Sequence, residues 1–394
     1  MLVLYSPDGS RRALENCQPH TDMSLAAPCL GSPAAVSPSE CLLKLITESQ
    51  EVIGCQSRRL TVCCMKPFPV GPLSTRPTRR VGSGAPRAPA RTLTPRALPN
   101  LSTCPGSTAA KRPWLNRREE VVKGRAEEGS LSQAQLDEFD RKGFLFEPNF
   151  ISGEELDELR RELAALLERD DFRGRDFAIT EPSGNEIRSL FAVHFLSERL
   201  GQLARDARLV GRARQILGGE PYVHQSRINY KPGFEGKGFN WHSDFETWHA
   251  EDGMPAMHAV SASIVLTDNH HFNGPLMLIP GSHRLFVPCL GETPDDNHRQ
   301  SLKQQEIGVP SREALSTLVR RHGIEAPTGA AGGLLLFDCN VLHGSNANMS
   351  PDPRSNVFFV YNRRDNRCVA PFAASRRRPG FLAHEPGESW SPAG

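Results

Sequence analysis

The stretch FNWHSDFETWHAEDG, residues 239–253, is the segment around which the rest of this sequence is organised. Six of its residues can ligate a metal ion, namely His242, Asp244, Glu246, His249, Glu251 and Asp252. Aromatic residues frame them, and buried charge without a partner or a metal is costly, so the stretch predicts a metal site. His242 and Asp244 stand at i and i+2, so on an extended strand both side chains leave the same face and can reach one ion.

Other residues of the stretch compete for the same role. Glu246 and Glu251 are rival carboxylates, and Asp244 is favoured by its spacing and its short side chain. His249 lies seven positions from His242 and would face the other side of a continuous strand. We therefore expect His242 and Asp244 to be the ligands within this stretch.

A third ligand has to come from elsewhere in the chain. Nonheme ferrous oxygenases use two histidines and one carboxylate on one face of an octahedron. The best candidate is His343, in the segment GGLLLFDCNVLHGSNANMSPDPR, residues 332–354, where an apolar run at 334–337 predicts a buried strand. Arg354 follows His343 by eleven positions. A guanidinium fork suits a carboxylate such as that of 2-oxoglutarate, which supplies the two electrons that a ferrous oxygenase needs.

This pattern resembles the Fe(II)/2-oxoglutarate-dependent dioxygenases, and in detail their phytanoyl-CoA dioxygenase-related branch. Within that branch, residues 239–253 are similar to the signature of the ectoine hydroxylase family. Four further segments share the similarity: QSRINYKPG from Gln225, NGPLMLIPGSH from Asn273, FDCNVLHGSN from Phe337 and RSNVFFVYN from Arg354. The resemblance runs from about residue 131 to about residue 384. Ala256 and His258 depart from it, because the family usually has arginine there.

The resemblance implies an enzyme that hydroxylates ectoine, a small cyclic zwitterion, to 5-hydroxyectoine, with O2 and 2-oxoglutarate as cosubstrates and succinate and carbon dioxide as products. It implies that Fe(2+) is held by His242, Asp244 and His343. It places around the 2-oxoglutarate Asn229, Lys231, Phe239, Ser345 and Arg354. It places around the ectoine Gln225, Thr247, Trp248, Ser261, Phe337, Asn356 and Phe358. Trp248 could offer its ring face to the delocalised cation of the substrate, and the alternative for this residue is ordinary core packing.

The segments around these motifs predict strands. Residues 222–231 alternate, with Gln225, Arg227, Asn229 and Lys231 on one face, which is apt for a polar pocket. Residues 258–266, 274–279, 333–337 and 355–362 are short apolar or alternating runs bounded by Gly, Pro, Asn or Asp. We therefore expect a mainly β protein with flanking helices and a double-stranded β-helix core, that is, a cupin-like jelly roll.

Two amphipathic helices are predicted ahead of the strands. Ser132 and Gln135 fit a capping box, and Gly143 is placed to end the first helix. Ser152 and Glu155 repeat the capping pattern before leucines at helical spacing, which we interpret as core packing.

The chain outside the family match has a different composition. We predict a disordered Pro/Arg/Ser-rich extension over residues 1–108, a linker over 109–129, the dioxygenase domain over 130–385 and a tail over 386–394. Seven of the ten cysteines precede residue 105, and a zinc site there is a weak alternative, because no CxxC pair is present.

Composition also bears on partners and location. The formal net charge is +2, which gives no reason to expect nucleic acid, and no apolar run approaches eighteen residues, which argues against a membrane span. The start of the sequence lacks the pattern of a secretory signal, so we expect a reduced cytoplasmic compartment. An isologous homodimer is the default expectation for an assembly.

Two alternatives to an ectoine hydroxylase stay open on sequence alone. The first is a related 2-oxoglutarate hydroxylase acting on another small amino-acid derivative or an acyl thioester. The second is a non-catalytic jelly-roll binding module, which would have no need of all of His242, Asp244, His343 and Arg354.

Overall fold

The computed structural model describes residues 4–5, 11–12, 114–181, 186–287, 293–303 and 306–392. Two short strands at the start, Leu4–Tyr5 (β1) and Arg11–Arg12 (β2), pair antiparallel within a unit of their own. The remainder of the predicted extension, including its cysteines, lies outside the described residues.

The described part of the second unit contains twelve strands. They are β3 (Leu115–Asn116), β4 (Phe144–Glu147), β5 (Ala178–Thr180), β6 (Ile187–Phe191), β7 (Pro221–Lys231), β8 (Phe239–His242), β9 (Ala259–Val265), β10 (Leu276–Leu278), β11 (Leu285–Phe286), β12 (Leu334–Asp338), β13 (His343–Ser345) and β14 (Arg354–Arg363). Seven form a large antiparallel sheet in the order β4-β12-β9-β14-β7-β6-β5. Three more form a smaller sheet in the order β10-β13-β8.

The helices flank the large sheet or connect its strands. They are α1 (Gln133–Lys142), α2 (Gly153–Leu167), α3 (Val193–Leu196), α4 (Glu198–Ala204), α5 (Ala207–Leu217), α6 (Asp244–Thr247), α7 (His298–Ser301) and α8 (Arg312–His322). A π-helix follows α6 over Trp248–Asp252, and single 3-10 turns lie at Ala126–Glu128, Asp170–Phe172, Ser282–Arg284 and Arg364–Asn366. No helix among the described residues is long and apolar enough to cross a membrane.

Alternation along the strands sorts residues between two cores. On β12, Leu334 and Leu336 pack among the leucines of the helices, whereas Leu335 and Phe337 pack with Leu276 and Leu278 of the smaller sheet. The large sheet thus buries one face under helices and the other against the smaller sheet. This is the predicted jelly-roll arrangement with flanking helices, and the cavity described below opens between the two sheets.

The helix caps follow the sequence in one case and depart from it in the other. Ser132 caps α1 with the predicted box, and Gly143 ends the helix with a φ of 84°. Ser152 makes no side-chain cap at α2. Glu155 instead accepts hydrogen bonds from Arg208 and Arg199, since ion pairing to neighbouring helices satisfies its carboxylate better.

Residues 114–129, the described part of the predicted linker, lie against the sheets. β3 pairs with β11, Val121 is buried in the core, and Arg117 forms an ion pair with Asp338. Packing is therefore found ahead of residue 130, where the domain was expected to begin. At the other end, within the predicted tail, the Trp390 ring lies 5.3 Å from that of Phe177.

Candidate metal centre and its cavity

Pairing of β8 with β13 places two histidines side by side. His242 is the cross-strand partner of His343, and their ring centroids are 4.3 Å apart. The Nδ1 atom of His242 lies 2.7 Å from the carbonyl oxygen of Asn240, and that of His343 lies 3.0 Å from the carbonyl oxygen of Val341. Each Nδ1–H therefore donates to a carbonyl, which leaves each Nε2 lone pair available to a metal.

Asp244 reaches these histidines from the start of a helix. We expected His242 and Asp244 on one continuous strand, but β8 ends at His242 and Ser243 caps α6. One oxygen of Asp244 lies 3.7 Å from Nε2 of His242, and the other lies 3.9 Å from Nε2 of His343. One ligand atom from each residue lies within 4.8 Å of the other two, and Oδ2 of Asp244 has no hydrogen-bond partner.

Burial and neighbouring charge favour the ligating protonation states. Burial, together with the adjacent His343, lowers the pKa of His242 to about 4, and burial also lowers the pKa of His343. Burial pushes the pKa of Asp244 upward, but His343 and Arg227 outweigh it and the net pKa is lowered. Two neutral imidazoles and one carboxylate match the two-histidine, one-carboxylate donor set of nonheme ferrous oxygenases, so the residues fit an Fe(2+) ion.

A cavity of about 660 Å³ opens from this centre. It is lined by the three candidate ligands and by eight of the other predicted site residues: Gln225, Asn229, Phe239, Thr247, Trp248, Ser345, Arg354 and Phe358. The structure thus brings members of both predicted groups, four of the five cosubstrate residues and four of the seven substrate residues, to one space. Their individual roles stay predictions.

Arg354 lies at the start of β14 and is 1% exposed. Its Nε and Nη2 atoms have no hydrogen-bond partner, and burial lowers its pKa to about 10. Unsatisfied buried donors of a guanidinium are costly unless a ligand accepts from them. The arrangement therefore fits an anionic group with two oxygens, such as a carboxylate.

Lys231 lies next to the cosubstrate group but does not line the cavity. Its Nζ atom donates to Ser345 Oγ at 2.7 Å and to the carbonyl oxygens of Gly274 and Asn346. Burial and the nearby Arg354 lower the pKa of Lys231 to about 6. The structure thus places Lys231 behind Ser345, where it orients the hydroxyl.

Three predicted substrate residues, Phe337, Asn356 and Ser261, also do not line the cavity. The Phe337 ring packs edge-on against His343 at 5.1 Å. Asn356 donates to Ser263 Oγ at 2.9 Å, and Ser261 is fully buried on β9. Phe337 therefore packs against a candidate ligand, whereas Ser261 and Asn356 are buried in the large sheet, and the substrate roles of all three stay predictions.

Two of the substrate residues that do line the cavity are held by their neighbours. Gln225 donates to the carbonyl oxygen of Leu382 and accepts from Arg227, both at 2.8 Å. Trp248 is 2% exposed and belongs to an apolar cluster with Phe245. For Trp248, core packing and a cavity-facing role therefore occur together.

Three arginines of the cavity wall were given no role from the sequence: Arg188, Arg227 and Arg378. Arg188 lies 4.0 Å over the Phe239 ring, and Arg227 lies 4.8 Å over the Phe358 ring. Arg227 lies on the polar face of β7 that the sequence predicted for a pocket, together with Gln225. No motif marks Arg378, which arrives after β14 and forms a buried forked pair with Asp252.

A second group of potential ligands, His224, Cys368 and Glu385, is buried elsewhere. Its carboxylate already accepts hydrogen bonds from Tyr222, Arg367 and the Cys368 backbone. We interpret this group as a structural network, since its acceptor atoms are satisfied by the protein itself.

The jelly roll and this donor set define a mononuclear nonheme iron oxygenase. The chain belongs to the phytanoyl-CoA dioxygenase (PhyH) family, whose sequence model matches residues 139–356. Within that family it belongs with the ectoine dioxygenases, so the predicted resemblance is confirmed.

Individual relatives carry this assignment. The ectoine dioxygenase of Halomonas elongata is 82% identical over 282 residues, which cover 72% of this chain and 85% of the relative. That of Nocardia farcinica is 51% identical over 278 residues, covering 71% and 92%. The crystal structure of EctD from S. alaskensis with 2-oxoglutarate and 5-hydroxyectoine superposes with a TM-score of 0.62 at 46% identity, covering 68% of this chain and 90% of that chain. The predicted fold class is confirmed.

Proposed function

We propose that this chain hydroxylates ectoine to 5-hydroxyectoine in an Fe(2+)-dependent reaction that consumes 2-oxoglutarate and O2 and releases succinate and carbon dioxide. The observation that carries the proposal is the convergence of His242, Asp244 and His343 at the floor of a cavity that also contains the unpartnered guanidinium of Arg354. The similarity to ectoine dioxygenases supports ectoine as the substrate. A product of this kind would act as a compatible solute under osmotic stress.

His242, Asp244 and His343 would hold the ion at the cavity that all three line. When bound, ferrous iron and 2-oxoglutarate together reduce O2 and supply the oxidant that replaces one C–H hydrogen by hydroxyl. The carbonyl acceptors of Asn240 and Val341 keep the imidazoles in one tautomer and one orientation.

The cosubstrate group has the charge pattern that a dicarboxylate requires. Arg354 offers Nε and Nη2 to the carboxylate far from the metal. Ser345 is oriented by Lys231, and Asn229 accepts a hydrogen bond from Ser189 at 2.9 Å. The amide N–H groups of Asn229 are thereby directed away from Ser189, on a residue that lines the cavity.

The substrate group combines an aromatic surface with polar anchors. The indole ring of Trp248 can face a delocalised cation, and Thr247 and Gln225 offer hydrogen bonds at the same wall. Phe358 adds apolar surface opposite Arg227. Such a lining orients a small zwitterion and keeps water from the reacting C–H bond.

The deciding experiment is turnover by the purified, iron-loaded chain with 2-oxoglutarate. Mass spectrometry should detect one oxygen atom added to ectoine, derived from labelled O2, with succinate formed in equal amount. Proline and acyl thioesters serve as competing substrates. Oxygen addition to one of these instead of ectoine would support the related hydroxylase. If none of the candidate substrates causes succinate release, the binding module would be supported.

We further propose a cytoplasmic location. Both cysteines that the structure describes outside the first unit, Cys339 and Cys368, are free thiols, as expected in a reducing compartment. Cell fractionation tests the location. The homodimer stays a prediction, which light scattering of the purified chain tests.

A further inference from the structure

Arg117 connects the two segments that carry the candidate metal ligands. Its Nη1 donates to Asp338 Oδ2 at 2.7 Å, and its Nη2 donates to the carbonyl oxygen of Met257 at 2.5 Å. Met257 follows the signature stretch with the first two ligands, and Asp338 ends the strand that leads to the third. One guanidinium therefore bridges both ligand-bearing segments.

This bridge is buried and electrostatically defined. The side chains of Arg117 and Asp338 are 3% and 4% exposed. Burial opposes the charge, but Asp338 outweighs it and raises the pKa of Arg117, so the guanidinium stays charged. A buried pair of this kind fixes one geometry, because any other arrangement leaves a charge without a partner.

A chain of hydrogen bonds leads from Asp338 toward the metal centre. Its Oδ1 atom accepts from the backbone N–H of Asn340 at 2.8 Å. The Asn340 amide nitrogen donates to the carbonyl oxygens of His283 and Leu285 at 3.0 and 3.1 Å. Since both of those partners are acceptors, the amide oxygen has to face Ser243, whose hydroxyl donates to it at 3.2 Å.

Ser243 is the residue between the first two ligands. Its hydroxyl also accepts from the backbone N–H of Glu246 at 3.3 Å and so caps α6. Two residues after Ser243, the backbone N–H of Phe245 donates to the carbonyl oxygen of Cys339 at 2.8 Å. The turn from β8 into α6 is therefore fixed by the segment that Arg117 holds, and this turn sets the direction of Asp244.

Arg117 itself is anchored by the strand before it. Leu115 and Asn116 pair with Phe286 and Leu285, and the Arg117 N–H donates to the carbonyl oxygen of Arg284 at 2.8 Å. The strap formed by residues 114–117 thus enters the domain from a region that composition alone assigns to a linker.

We propose that Arg117 is a positioning residue of the iron site, acting through Asp338, Asn340 and Ser243 on the angle between His242 and Asp244. The inference rests on the proposed metal site. The inference assigns a role in iron affinity to a residue that does not line the cavity. Loss of Arg117 should have an effect like the loss of a residue that orients a metal ligand through hydrogen bonds.

The first test measures iron affinity. Fe(2+) dissociation constants are determined by competition with a chromophoric chelator for the full chain and for Arg117→Met, with the exposed neighbour variant Arg118→Met as matched control. We expect a dissociation constant roughly 10-fold higher for Arg117→Met, in line with outer-shell substitutions at other metal sites. Arg118→Met should match the wild type. A lower melting temperature with unchanged iron affinity in Arg117→Met would overturn the inference.

A double-mutant cycle separates positioning from general stabilisation. If Arg117 acts through Ser243, then Arg117→Met and Ser243→Ala should weaken iron binding non-additively, whereas independent effects add. Additive losses overturn the inference. If Arg117→Met yields no soluble protein, Arg117→Gln takes its place, since it removes the charge beside Asp338 but stays polar, and wild-type iron affinity in that variant also overturns the inference. A wild-type chain that neither binds iron nor oxidises ectoine would refute the proposed function instead.

Discussion

Replacing Arg354 by methionine should weaken 2-oxoglutarate binding by about two orders of magnitude. The guanidinium has two donor atoms, Nε and Nη2, without partners in the protein. A hydrogen bond to a charged group contributes roughly 1.5 to 3 kcal/mol, so losing two costs at least about 3 kcal/mol. Since about 1.4 kcal/mol is tenfold in a dissociation constant, the expected loss is roughly 100-fold.

The same substitution should increase the free energy of unfolding of the chain without cosubstrate. Burial lowers the pKa of Arg354 to about 10, which corresponds to roughly 3 kcal/mol of unfavourable burial of its charge. Arg354 is charged in both the folded and the unfolded chain at neutral pH, so this cost is present there in full. Methionine removes it, and the melting temperature should rise by roughly 5 °C or more.

The assay combines calorimetric titration of 2-oxoglutarate under anaerobic conditions with steady-state kinetics for both substrates. Arg354→Lys keeps a charge but loses the fork, and its affinity should fall between wild type and Arg354→Met. Arg363→Met, at the other end of β14, is the matched control. Unchanged 2-oxoglutarate affinity in Arg354→Met, or a loss confined to ectoine, would refute the assigned role.

Three other substitutions and a pair of truncations test separate parts of the site. Asp244→Ala should abolish iron retention and turnover, since it removes the carboxylate ligand; metal analysis showing normal iron would contradict the assignment. Trp248→Ala should raise the Michaelis constant for ectoine roughly 10-fold with little change for 2-oxoglutarate, as loss of a ring facing a cation predicts, and equal effects on both would count against that role. For Lys231, whose pKa is lowered to about 6, only the unfolded chain keeps the proton above that pH, so stability should rise with pH from about 6 upward by up to about 1.4 kcal/mol per pH unit. Lys231→Met should lose this slope in chemical denaturation, while the exposed Lys237→Met should keep it; identical slopes in all three proteins would remove the basis for the claim. A chain starting at Lys111 should keep iron affinity and activity, whereas one starting at residue 130 lacks the strap and should lose iron affinity; equal behaviour of the two would place the strap outside the functional unit.

The hydrophobic periodicity of the sequence predicted many of the strands correctly. The strands predicted at 258–266 and 355–362 differ from β9 and β14 by one residue at most at each end. Side chains alternate between the two faces of β7 from Gln225 to Lys231, as predicted. The pairing of β7 with β14 shifts register next to Val360, so Val223 packs against the core on the helix side instead of facing the same way as Gln225. A β-bulge depends on how two strands pair, so it cannot be predicted from the sequence pattern of one strand alone.

The candidate site shows the same division between local and distant information. The motif residues converge as expected, although Asp244 does so from a helix start, because Ser243 finds a capping role that an i, i+2 rule ignores. Lys231 is a suitable hydrogen-bond donor for a cosubstrate contact, yet three nearby acceptors hold it behind Ser345. Arg378 and Arg117 lie far in sequence from any motif, and only the folded chain shows what they contact.

The cross-strand pairing of His242 with His343 also bears on how this protein tolerates changes in length. Backbone hydrogen bonds between β8 and β13 set the separation of the two imidazoles, so the number of residues between them is free to vary. Extra residues inserted at a surface turn between those strands, such as the segment near residue 295, should leave iron binding intact. A one-residue deletion within β13 would instead turn His343 to the opposite face of its sheet and eliminate iron binding.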